Sequence, residues 1–128
     1  MRKLIVAIAL TLAGCSGDEQ FSITGAVDEP PPENYRELAR AHLRQTLIDP
    51  YSARDPMIAR PVPGRNSMYA GWMVCVKVNS KNKLGAYAGM APIAVIMRGG
   101  KVVHSIEENG ALFCDGVKEY EPFPELVG

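Results

Sequence analysis

The pattern that most restricts this chain lies between residues 92 and 106. Two apolar runs, 92–98 and 101–106, flank Gly99-Gly100. A two-residue connection between antiparallel strands needs positive φ at both positions, which glycine adopts without steric cost. The pair therefore predicts a tight hairpin, and the turn sets its register: Arg98 faces Lys101, Met97 faces Val102 and Val95 faces His104. One face then collects Ile93, Val95, Met97, Val102, His104 and Ile106, while Ala94, Ile96, Arg98, Lys101, Val103 and Ser105 form a more polar reverse side. A further strand is expected over residues 69–79. There Trp72, Val74, Val76 and Val78 alternate with Met73, Cys75, Lys77 and Asn79. Residues 57–62 are apolar but contain Pro61, which predicts an edge strand at best.

A helix should precede these strands. Asn34 stands in the N-cap position, with Glu37 three residues later as a capping-box partner. Tyr35, Leu38, Ala39, His42, Leu43 and Thr46 recur on one side, Glu37, Arg40 and Arg44 on the other, and Pro50 forces a stop near residues 47–49. Asp49-Pro50-Tyr51-Ser52-Ala53 reads as a short second turn with proline in its favoured first position. The expected fold is α+β: an N-terminal helix packed on a three- to four-stranded antiparallel sheet. Hydrophobic residues at 47% and charged residues at 22% are globular proportions, and the length suits one small core.

The first fifteen residues have a different logic. Met1-Arg2-Lys3 is basic, residues 4–12 are apolar apart from Thr11, and small residues precede Cys15. That order is the design of an export signal, and the apolar run is too short to span a bilayer permanently. Leu12-Ala13-Gly14-Cys15 resembles the lipobox of bacterial lipoproteins at every position. The resemblance implies that Cys15 is diacylated, that residues 1–14 are removed, and that acyl chains anchor the mature protein in a membrane. Ser16, rather than Asp, follows the cysteine, which in the enteric members of that family favours the outer membrane. Residues 15–33 are acidic and include Pro30-Pro31-Pro32, so they are expected to form a flexible tether to a single periplasmic domain over residues 34–128.

With Cys15 lipidated, Cys75 and Cys114 are the remaining thiols, and an oxidising compartment favours a disulfide between them. Cys75 alternates with Val74 and Val76, so the bridge should tie the C-terminal segment to the sheet's other side or edge. A redox pair would want a Cys-x-x-Cys spacing, which the sequence lacks.

Chemistry-bearing patterns are sparse. The sequence contains no nucleophile elbow, P-loop, dinucleotide fingerprint or His-Glu-x-x-His spacing, so catalysis, a cofactor and a metal are not expected. His42 and His104 both project onto predicted apolar faces, which brings them near each other if helix and sheet pack as expected; hydrogen-bonded core imidazoles are the ordinary outcome there. Charge is segregated: residues 15–33 carry five acids and no base, residues 34–106 carry eleven bases against three acids, and residues 107–128 carry six acids with Lys118. Such ends are expected to neutralise the basic middle. Arg36, Arg40 and Arg44 repeat at four-residue spacing, a basic stripe that reads as an ordinary solvated helix face.

Residues 80–90 form the most suggestive stretch. They read as a connection longer than a usual hairpin loop, and long connections are often functional. Lys81, Lys83, Leu84 and Tyr87 are the candidate partner-binding residues, with Tyr87 as an aromatic anchor and the lysines steering an acidic partner. Asp49-Pro50-Tyr51-Ser52-Ala53, residues 74–82 and Gly85-Ala86-Tyr87-Ala88-Gly89 are together similar to a pattern in small uncharacterised proteobacterial envelope proteins. That resemblance implies a shared domain and no particular activity. The expectation is a non-catalytic envelope module, anchored through Cys15, that binds another envelope protein and no nucleic acid. The other classes are a ligand module for an anionic envelope polymer and an inhibitor of a wall-cleaving enzyme.

Overall fold

A computed structural model describes residues 27–65 and 70–128. The expected signal segment, Cys15 and most of the expected tether lie outside the described residues. Among the described residues the fold is mixed α+β, with one antiparallel sheet, one main helix and one disulfide. The helix α1 spans Tyr35–Thr46. It is the first element among the described residues and not the chain's N-terminus. Asn34 occupies the N-cap, but its side chain makes no capping bond and only its carbonyl engages, accepting from Leu38 N at 3.0 Å. The strands are β1 (Arg54–Ala59), β2 (Val62–Arg65), β3 (Ala70–Lys81), β4 (Tyr87–Arg98), β5 (Lys101–Ile106) and β6 (Tyr120–Pro122). A five-residue helix, α2, spans Gly110–Cys114.

The sheet has six strands rather than three or four. Its order is β5-β4-β3-β1-β6, with β2 also paired to β3. β3, β4 and β5 form the meander expected from the sequence. Gly99 and Gly100 both take positive φ, 62° and 74°, as the tight turn requires. At the other edge the prolines do not end the sheet. β1 is no edge strand there, because it pairs with β3 on one side and β6 on the other. Pro56 sits where the β1–β3 register shifts, beside Asp55 at φ 49°, and Pro61 lies between β1 and β2. A bulge leaves a residue outside the ladder, so proline's missing N–H breaks nothing.

Both faces of the central strands are buried. On the front, Val74, Val76, Val78, Ile93, Val95 and Met97 meet Ala39 and Leu43 of α1 together with Phe123 and Leu126 of the C-terminal segment. On the back, Met73, Cys75, Ala94 and Ile96 meet Ala59 and Cys114. The back was expected to be the more polar side, but α2 covers it. Gly110 permits that approach, because a Cβ there would stand 2.1 Å from the Pro92 carbonyl oxygen. The Cys75–Cys114 bridge, with Cα atoms 6.0 Å apart, fastens α2 to β3.

The β4–β5 register holds for Arg98 with Lys101 and Met97 with Val102, then slips. Val103 is extra, so Ile96 faces His104 and Val95 faces Ser105. One inserted residue exchanges the two faces for everything beyond it. His104 therefore shares the back with Ile96, Ile106 packs on the back cluster, and Ser105 comes to the front.

Candidate functional site

The end of the β3–β4 hairpin carries the candidate binding residues. The strands run further than the sequence suggested, and residues 80–90 are mostly ladder: β3 continues to Lys81, β4 starts at Tyr87, and these two residues pair. Only residues 82–86 are left as a tip. Asn82 organises that tip. Its side-chain oxygen accepts from Leu84 N at 2.9 Å and Ala86 N at 3.1 Å, and its own N–H donates to the Ala86 carbonyl at 2.8 Å. Further down, the Asn79 side chain accepts from Gly89 N at 2.9 Å. A tip whose backbone donors are already engaged loses little freedom when a partner binds.

The four candidate residues divide into two pairs. Tyr87 and Lys81 are held against the domain. The Tyr87 hydroxyl donates to the Ser52 carbonyl at 2.8 Å, and the Arg54 guanidinium lies 3.6 Å from its ring centroid. Lys81 Nζ stands 3.2 Å from Asp49 Oδ2 and 5.6 Å from the Tyr87 ring. The Ser52 hydroxyl, and next Lys81, hold the Asp49 carboxyl below the usual carboxylate range. Lys83 and Leu84 project away, with Leu84 92% exposed and Lys83 making no ion pair with a described residue. Arg54 escaped the sequence reading; the signal available for it was its place just after the Asp49–Ala53 turn. Beside the tip is an open groove of about 480 Å³, bounded by Leu47, Ile48, Lys81, Lys83, Glu107 and Glu108. Its walls carry both signs of charge.

The two histidines are not neighbours. His42 shares a 2.8 Å hydrogen bond with Ser105 Oγ on the front, whereas the register slip puts His104 on the back. Burial pulls the His42 pKa below the ordinary histidine value, against a weaker upward pull from Glu107. No cluster of three or more His, Cys, Asp or Glu side chains placed to hold a metal occurs among the described residues. Tyr120 shows the reverse of the Tyr87 arrangement: its hydroxyl is buried without a hydrogen-bond partner among the described residues, and burial pushes the phenol pKa up. The Lys77 ammonium lies 4.3 Å from its ring centroid.

The stripe on α1 is not simply a solvated face, because the C-terminal segment engages two of its residues, Arg36 and Arg44. Arg36 binds the Glu125 carboxylate through Nε and through Nη2 at 3.0 Å, and Nη2 also donates to the Pro122 carbonyl at 2.8 Å. Arg44 donates to the carbonyls of Leu126 and Glu125 at 3.1 and 3.0 Å. The hydrogen bond from Arg36 holds the Glu125 carboxyl below its usual range. Among the described residues no helix is long and apolar enough to cross a membrane. No protein-family model matches the chain, and no curated protein or solved structure matches it either.

Proposed function

We propose that the mature protein is a non-catalytic envelope module, anchored through an acylated Cys15 and probing its surroundings with the tip of the β3–β4 hairpin. Its partner is another protein of the envelope, with the outer membrane's periplasmic side as the location. The observation that carries this reading is the fixed tip itself: Leu84 is 92% exposed and Lys83 stands beside it, on a backbone already braced by Asn82. An apolar side chain displayed on a pre-ordered turn gains contact area at small entropic cost. Binding of an anionic polymer draws less support, because Arg36, Arg98 and Lys81 are paired with carboxylates of the same chain. The test is Leu84→Asp combined with Lys83→Glu, followed by partner recovery and thermal melting. Recovery should fall at least about tenfold, as expected for losing one anchoring contact, with melting unchanged. Undiminished recovery would overturn the proposal.

A further inference from the structure

We propose that Asp28 and Glu29 form a latch that fixes the chain's point of departure at the Gly99-Gly100 turn, so that the anchored domain presents its hairpin tip away from the bilayer. Three kinds of contact make the latch. Arg98 Nη2 reaches both Asp28 carboxylate oxygens, at 3.0 and 3.3 Å. Gly99 N donates to the Glu29 carboxylate at 2.9 and 3.1 Å. The Trp72 indole donates to the Glu29 carbonyl at 3.0 Å. Arg98 also donates to the Ala70 carbonyl at 3.2 Å, so the latch joins the start of β3, the end of β4 and the turn. Glu29 is the better buried of the two acids, with its side chain 29% exposed against 77% for Asp28. Pro30, Pro31 and Pro32 then lead along a shallow groove of about 340 Å³ beside Met97 and Gly100 to the start of α1. Prolines have few conformations to lose, which suits a strap lying on a surface.

The direction follows from the sheet. β4 extends from Tyr87, beside the tip, to Arg98, beside the latch, with one bulge near Gly89. At about 3.3 Å per residue or a little less, the two ends are roughly 30–35 Å apart. Whatever lies upstream of Asp28 therefore leaves from the end remote from Leu84. The orientation rests on the anchored reading given above; the latch rests on the contacts alone.

The acylated mature chain is placed in vesicles of phosphatidylethanolamine and phosphatidylglycerol containing a headgroup acceptor dye. Donor labels are attached at Leu84→Cys or Lys101→Cys with the disulfide intact. Energy transfer should be at least about twofold greater from position 101, given the strand length between the sites. Equal or reversed transfer overturns the orientation. A second measurement uses Trp72, the chain's single tryptophan. Replacing Asp28 and Glu29 together by alanine should shift its emission to the red with little change in melting temperature, and Arg98→Ala should do the same. Unchanged emission in both variants overturns the latch. A chain that fails to float with the vesicles refutes the anchored reading and with it the orientation, while the tryptophan result still decides the latch.

Discussion

Two tyrosines in this domain face opposite energetic situations, and the same substitution separates them. Tyr87 donates to the Ser52 carbonyl, so Tyr87→Phe leaves an acceptor unpaired and should destabilise by about 1 kcal/mol. Tyr120 has a buried hydroxyl with no partner among the described residues, so Tyr120→Phe should be neutral or stabilise by up to about 1 kcal/mol. Denaturant titration of both variants checks the pair; equal destabilisation would contradict it. His42 makes a pH-dependent contribution. Its folded pKa is lowered by burial, so the unfolded state binds more protons once the pH falls into the ordinary histidine range. Stability from this group is complete above that range and declines below it, until the folded pKa is also passed. Melting temperature measured across mildly acidic pH should fall less steeply for His42→Gln than for the parent. Parallel slopes would assign the acid sensitivity elsewhere, for instance to Glu125, whose lowered pKa has the same sign of effect but acts across the carboxylate range.

At the scale of elements, the disulfide is the strongest single constraint on the back layer. It closes a separation of 39 residues, worth about 4 kcal/mol in the chain-entropy model. Replacing Cys75 and Cys114 together by alanine should lower stability by an amount of that order, read by denaturant unfolding, and should loosen α2 before the sheet. A loss under about 1 kcal/mol would mean that packing around Gly110 and Ile96 holds the layer without the bridge. The elements legible in the sequence were those with a strong local signal: α1 from its apolar stripe, the β3–β5 meander from alternation, and the turn from paired glycines. β6 and α2 are too short to show a period, and both form because the bridge and the sheet place them. β1 is stronger than its sequence suggests because Pro61 falls just beyond it, in the connection to β2, while Pro56 sits at a bulge. The Val103 bulge left no sequence mark, yet it alone separated His104 from His42. At the candidate site the sequence points to Lys81, Lys83, Leu84 and Tyr87 together, with Tyr87 as the anchor; that Lys81 and Tyr87 turn inward and leave Leu84 exposed depends on Ser52, Arg54 and Asp49 from a distant part of the chain.

For the whole molecule, the segregated charge pattern becomes a closing device. Asp28 and Glu29 meet Arg98, while Glu121 and Glu125 meet Arg36, so described acids from both flanks fold onto the basic middle. Individual exposed pairs of this kind contribute little, about 0–1 kcal/mol, but here they hold residues 28–29 and 121–125 against the domain. With those bases occupied, the proposed partner contact rests on the exposed hairpin tip. The most direct measurement puts a photo-crosslinking residue in place of Leu84 in cells making the full chain, with Leu112, 63% exposed near the disulfide, as the matched apolar control. The account expects one discrete protein adduct from position 84, found in the membrane fraction, lost when Cys15→Ala prevents acylation, and absent from position 112. No adduct from position 84, or the same adducts from both positions, would contradict it.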